Sequence, residues 1–263
     1  MTLKEKRLFL LDMDGTIYLD QELFDGTLDF LEHVKKIGGR AMYLTNNSSK
    51  SVTKYIEKLE AMGIKAEKKD FTTSAHATAL YLLEHHKNDL IYVFGTQALK
   101  DEFKQYGLKI TDKLCDEITC LTMGFDTELN FQKLEDACIL LNRGVEYIAT
   151  NPDWVCPTWY GSVPDCGSVS VMLCNATGRK PKFIGKPEPT MINIAIAQTE
   201  FTKEQTIILG DRLYTDIASG SNAGIDTALM LSGESTMEDV KNFDGKAPTY
   251  IFDNIRSFLE EII

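Results

Sequence analysis

The stretch Leu8-Phe9-Leu10-Leu11-Asp12-Met13-Asp14-Gly15-Thr16 decides the fold. Four consecutive apolar residues running straight into a polar turn describe a strand buried on both faces, since a half-exposed strand would alternate. Two further runs end the same way: Ala41-Met42-Tyr43-Leu44 in Thr45-Asn46-Asn47, and Thr206-Ile207-Ile208-Leu209 in Gly210-Asp211. Amphipathic helical spacing follows or fills the intervals, over residues 28–34, 52–62 and 191–198. Strand alternating with helix predicts an open α/β sheet. Ligands of such sheets bind outside the carboxyl ends of the strands. Asp12, Thr45 and Asp211 are therefore expected to converge on one crevice.

The middle of the chain has an α/β pattern of its own. Strands are expected over residues 90–94, 118–123 and 147–149, and helices over 99–106 and 131–141. None of the three polar clusters falls in this block, so it reads as an insertion. The expected domains are a core of residues 1–78 and 183–263 and an inserted α/β cap of residues 79–182.

At 263 residues the chain is long enough for one large domain or a core with a smaller partner. Hydrophobic residues make up 43% and charged residues 25%, an ordinary soluble composition. The formal net charge of −11 argues against nucleic acid and anionic membrane surfaces as partners. The charged opening Met1–Arg7 and the short apolar run after it suit neither a signal peptide nor a membrane span. The six cysteines contain no C-x-x-C pair and read as reduced, packed thiols of a cytoplasmic protein. His33, His76, His85 and His86 fall in no motif, and neither a Gly-x-Ser-x-Gly elbow nor a dinucleotide Gly-x-Gly-x-x-Gly is present. Trp154, Trp159 and Tyr160 around Pro157 are expected to pack on the cap rather than to meet a substrate ring.

The chemistry concentrates in Asp12-Met13-Asp14-Gly15-Thr16. Carboxylates two residues apart point to opposite faces inside a strand, but just past a strand end both can reach one ion. Gly15 permits the turn. A carboxylate is a competent nucleophile toward phosphorus once a Mg²⁺ ion neutralises the incoming anion. A second carboxylate can protonate the leaving alkoxide and then deprotonate water. Taken singly, each candidate has a plain structural reading. Asp-Gly is a turn, Thr-Asn-Asn a helix cap, Lys186 a loop lysine and Asp211 a turn residue. Together they favour a site.

In this order the motifs resemble the haloacid dehalogenase superfamily. They are Asp12-Met13-Asp14-Gly15-Thr16, Leu44-Thr45-Asn46-Asn47, Gly185-Lys186-Pro187-Glu188-Pro189 and Gly210-Asp211-Arg212-Leu213-Tyr214-Thr215-Asp216. The resemblance implies a Rossmann-like core with a parallel sheet, and a role for each position. Asp12 would be the nucleophile and Asp14 the general acid/base, its backbone carbonyl on the metal. Thr45 and Asn46 would hold the phosphoryl oxygens. Lys186 would pair with the nucleophile and the phosphate, and Asp211 and Asp216 would complete the Mg²⁺ shell with Asp12. An acid at position 14 resembles the phosphatase and phosphotransferase branches, since the dehalogenase and phosphonatase branches lack it.

The cap between the second and third motifs, with Ala149-Thr150-Asn151-Pro152-Asp153 and Val163-Pro164-Asp165-Cys166-Gly167-Ser168, resembles the class IIA, NagD-like branch. The implied activity is Mg²⁺-dependent hydrolysis of a small phosphate monoester, such as a sugar phosphate or nucleoside monophosphate, through an aspartyl-phosphate. A phosphotransferase and a non-catalytic phosphate-binding or signalling protein are the alternatives. That branch often dimerises through the cap, which leaves a homodimer open here. Asp165 stands where a small apolar residue is expected. Facing the site it would welcome an amine or hydroxyls; the plainer expectation is an exposed loop acid or helix cap.

Overall fold

The computed structural model describes residues 1–158 and 160–263, and Trp159 lies outside the described residues. The chain divides into two units. One comprises Met1–Thr45, Val52–Thr72 and Lys186–Ile263; the other comprises Asn46–Ser51 and Thr73–Gly185. The first unit opens with β1 (Leu8–Leu11), β2 (Tyr18–Leu19), β3 (Glu22–Leu23), β4 (Arg40–Thr45) and β5 (Phe71–Thr73). Then come β6 (Leu90–Phe94), β7 (Ile110–Thr111), β8 (Ile118–Met123), β9 (Glu146–Ala149), β10 (Val155–Thr158), β11 (Gly161–Pro164) and β12 (Lys182–Phe183) in the second. The chain returns to the first unit with β13 (Thr206–Gly210), β14 (Asp226–Met230) and β15 (Tyr250–Phe252).

The sheet of the first unit runs β15-β14-β13-β1-β4-β5. Its β1, β4, β13, β14 and β15 pairings are parallel. Every residue of β1 and β13 is buried, as their unbroken apolar runs require. The order of strands reverses direction about β1, whose neighbours β4 and β13 lie far apart in sequence. A crevice forms at the carboxyl ends of strands where that happens. Leu11 stands opposite both Leu209 and Tyr43, so Asp12 leaves the sheet level with Gly210 and Leu44.

Helices Thr27–Lys36, Val52–Ala61 and Thr190–Ala197 match the expected positions to within a few residues. The closing helix Ile255–Ile262 was not anticipated. It is fixed by an Asn254 cap that accepts from the Arg256 and Ser257 backbones, and it buries Ile255, Phe258, Leu259 and Ile262. Phe9, Phe30 and Phe258 meet edge to face in the core, with centroids 5.4, 6.2 and 5.7 Å apart.

The second unit has its own parallel sheet, β12-β9-β8-β6-β7, and its own core around Tyr92, Phe94, Leu121, Met123, Leu140 and Tyr147. Helices Gln97–Gln105 and Phe131–Arg143 occupy the expected stretches, and β10 and β11 form an antiparallel hairpin. Of the two plain expectations for Asp165, the helix cap holds and the exposed loop acid does not. Asp165 is buried, caps helix Cys166–Thr177 at the Cys166 N–H, and accepts from Asn151 Nδ2 at 3.2 Å. Among the described residues no two cysteines form a disulfide. Among the described residues no helix is long and apolar enough to cross a membrane.

Candidate active site

The ladder between β1 and β13 continues for one residue past β1, where the Asp12 N–H donates to Leu209 O at 2.9 Å. The chain then turns. Met13 O accepts from the Thr16 and Ile17 N–H groups, Met13 itself is buried in the core, and Gly15 takes a left-handed φ of +86°. This turn leaves the Asp12 carboxylate at the sheet edge, its side chain 16% exposed.

Lys186 opens the last segment of the first unit, and it is buried. Asn222 Nδ2 donates to Pro187 O at 3.0 Å and Ser219 Oγ to Glu188 O at 3.1 Å, which ties the Lys186–Pro189 segment to helix Ala218–Ala223. Lys186 Nζ donates to Asp12 Oδ1 and Asp216 Oδ1, both at 2.6 Å, and to Leu44 O at 3.3 Å. One ammonium thus joins the residue after β1, the end of β4 and the turn after β13.

Asp216 lies on a wide helical turn, Leu213–Ile217, where the Ile217 N–H reaches five residues back to Arg212 O. Such π-type turns re-aim a side chain and recur at functional sites. The second Asp216 oxygen accepts from the Arg212 N–H at 3.1 Å. Asp211 is cradled by the loop after β14: Glu234 N–H donates to its Oδ2 at 2.8 Å and Ser235 N–H to its backbone carbonyl at 3.1 Å. Ser232 Oγ in the same loop donates to Gly15 O at 2.8 Å, which ties the loop to the turn after Asp12.

Asp12, Asp211 and Asp216 present oxygens within 4.8 Å of one another. Burial pushes the Asp12 carboxyl well above the usual range; Lys186 opposes this, while Asp216 and Asp211 add to it. Burial, reinforced by Asp216, pushes Asp211 up to about 7. Burial works against the Lys186 ammonium too, but Asp12 and Asp216 outweigh it and raise its pKa. The Lys186 ammonium bonds two of the three carboxylates, and Asp211 Oδ1 is buried with no hydrogen-bond partner among the described residues. This oxygen-only, cation-deficient donor set fits a hard divalent ion.

The remaining expected residues lie as follows. Thr45 ends β4 and is buried. Asn46 is counted with the second unit, where its amide donates to the buried Asp153 carboxylate at 3.0 Å and its carbonyl accepts from Ser74 Oγ at 2.6 Å. The Asp14 side chain stands apart from the acidic cluster. It is 55% exposed, accepts from the Tyr18 hydroxyl at 3.1 Å and lies 3.5 Å from Lys58 Nζ.

A family model described as haloacid dehalogenase-like hydrolase matches residues 9–109, and one described as HAD-hydrolase-like matches residues 183–258. The acid sugar phosphatase of Staphylococcus epidermidis is 34% identical over 260 residues, 99% of each chain. This chain belongs to the haloacid dehalogenase-like hydrolases. Within that superfamily it falls in the class IIA, NagD-type branch of phosphatases. The crystal structure of a 4-nitrophenylphosphatase from Thermotoga maritima superimposes with a TM-score of 0.93 at 39% identity, covering 99% of both chains. That of glycerol phosphate phosphatase from Mycobacterium tuberculosis, in complex with magnesium, gives 0.91 at 29% identity, covering 98% of this chain and 78% of that one.

In this haloacid dehalogenase-like chain, sequence reasoning missed the loop Ser232–Ser235, with Ser219 and Asn222. The first carried a usable signal, since Ala228-Leu229-Met230-Leu231 is one more apolar run ending in Ser232-Gly233. The other two are ordinary polar residues on a helix, and nothing in their spacing marks them.

Proposed function

We propose that this phosphatase hydrolyses a small-molecule phosphate monoester, a sugar phosphate, a nucleoside monophosphate or a similar ester, through an aspartyl-phosphate on Asp12. The supporting observation is the single Lys186 ammonium bonded to Asp12 and Asp216 beside the orphaned oxygen of Asp211. A nucleophile, a fixed positive charge and a divalent-ion cradle thereby share one place.

In this reading an Asp12 oxygen attacks phosphorus and the bond from phosphorus to the ester oxygen breaks. The Asp14 carboxyl gives its proton to the departing oxygen, releasing an alcohol. Water then attacks the aspartyl-phosphate and gives a proton back to Asp14. Inorganic phosphate leaves and the Asp12 carboxylate is restored. Lys186 orients Asp12 and faces the charge of the transferring phosphoryl group, with Thr45 and Asn46 assigned to its oxygens. Asp12, Asp211, Asp216 and the Asp14 backbone carbonyl would hold Mg²⁺. When bound, the ion supplies charge neutralisation that lets an anionic nucleophile approach an anionic ester.

The test is phosphate release from p-nitrophenyl phosphate and a panel of metabolite phosphates, with Mg²⁺ and with chelator, for wild type and Asp12→Asn. Turnover that needs Mg²⁺ and disappears in Asp12→Asn is expected, and the panel ranks the substrates. A folded, Mg²⁺-loaded wild type that releases no phosphate overturns the hydrolase reading. Release only on addition of an alcohol or nucleotide acceptor would make it a phosphotransferase.

A further inference from the structure

Asp14 is held from two sides by residues outside every motif that marks the site. Tyr18 follows it by four residues, and the backbone bridges the two positions, with Gly15 N–H donating to Tyr18 O at 2.9 Å. The Tyr18 ring is fully buried in the core, and its hydroxyl donates to Asp14 Oδ2 at 3.1 Å. Burial and the Asp14 carboxylate both raise the pKa of that phenol, so it stays a donor. Lys58 arrives from another element, helix Val52–Ala61, one turn after the buried Tyr55. Its Nζ lies 3.5 Å from Asp14 Oδ1 and 3.8 Å from the centroid of the Tyr18 ring, with the side chain 19% exposed. The ammonium thus meets both the carboxylate and the face of the ring that binds its other oxygen.

We infer that Tyr18 and Lys58 are positioning residues for Asp14, fixing the rotation of its carboxyl group by engaging one oxygen each. This rests on Asp14 being the acid that protonates the leaving group. An ion pair at 3.5 Å with a half-exposed carboxylate contributes little to stability. If the arrangement matters, it matters to the geometry of proton delivery, where a misplacement of about 1 Å can cost on the order of a hundredfold.

Leaving groups separate positioning from mere support. A p-nitrophenolate departs without help, whereas an alkoxide needs a proton. The ratio kcat/KM reports only steps up to loss of the leaving group. The experiment measures it for p-nitrophenyl phosphate and for glycerol phosphate, or the fastest alkyl phosphate of the panel, in wild type, Asp14→Asn, Tyr18→Phe, Lys58→Met and Lys58→Arg. Tyr18→Phe and Lys58→Met are expected to lose about tenfold or more on the alkyl ester. On the aryl ester they should lose less than about threefold, with Lys58→Arg recovering part of the difference. Asp14→Asn should show the same selectivity, more deeply. Equal losses on both esters, or none, in the Tyr18 and Lys58 variants overturn the inference if Asp14→Asn is selective. An unselective Asp14→Asn removes the acid reading, and the inference falls with it. Lys58 is partly exposed and lies outside the apolar core, so its variants carry the test even if Tyr18→Phe folds poorly.

Discussion

Asp211 serves two opposed requirements, and the glycines around it show how closely the chain is fitted to them. Its carboxylate is buried, which is costly, yet one oxygen is left without a hydrogen bond among the described residues. A Cβ built on Gly233 or Gly15 would fall inside contact distance of the Asp211 Oδ2 oxygen. The two differ in one useful respect: Gly15 also needs its left-handed φ of +86°, whereas the Gly233 backbone is one any residue can adopt. Gly233→Ala therefore isolates the steric effect. It should raise the Mg²⁺ concentration for half-maximal activity by about tenfold or more, in keeping with residues that only orient a metal ligand. Circular dichroism should be unchanged. Unaltered Mg²⁺ dependence would mean that Asp211 does not face the ion.

At the scale of elements, the helix Gln97–Gln105 of the second unit carries a test that owes nothing to catalysis. Burial pushes Glu102 up to about 7 from an ordinary value of 4.5. Between those two pH values the folded chain binds a proton that the unfolded chain has released. Stability therefore falls as pH rises from about 4.5 to about 7 and stays at the lower level above it. The loss is on the order of 3 kcal/mol or less. Glu102→Gln should remove this slope and raise the melting midpoint at pH 8 by several degrees; an identical pH profile in the variant would place the Glu102 carboxylate in water. The elements also divide by legibility. β1, β4 and β13 were readable because strands buried on both faces are unbroken apolar runs. The two-residue strands β2 and β3 were not, since Tyr18-Leu19 and Glu22-Leu23 are too short to show a period. Nor was the closing helix, whose role is set by docking on the Phe9–Phe30 pair. Asp12 and Asp211 could be located because each sits just past an apolar run, whereas Lys186 and Asp216 were marked by the motif resemblance. Tyr18 and Lys58 act through tertiary proximity that no spacing encodes, whereas Ser232–Ser235 follow an apolar run and were legible in principle.

For the molecule as a whole, the net charge of −11 and three clustered carboxylates put an anionic protein to work on an anionic ester. Lys186 alone cannot reverse the local field against Asp12, Asp211 and Asp216. The fold without a cation consequently stores repulsion and desolvation where the chemistry is proposed to happen, a common relation between activity and stability. A cation that binds only the folded chain must stabilise it in proportion to the logarithm of its concentration. Wild type should melt progressively higher as Mg²⁺ is raised and fall back on addition of chelator. In Asp211→Asn one buried charge is gone, while the side-chain oxygen that accepts from the Glu234 N–H can be kept. This variant should melt several degrees above wild type in chelator and gain little from Mg²⁺. The two melting curves should cross as Mg²⁺ is added. A variant that melts lower than wild type in chelator would mean that Asp211 is held by contacts worth more than its charge costs.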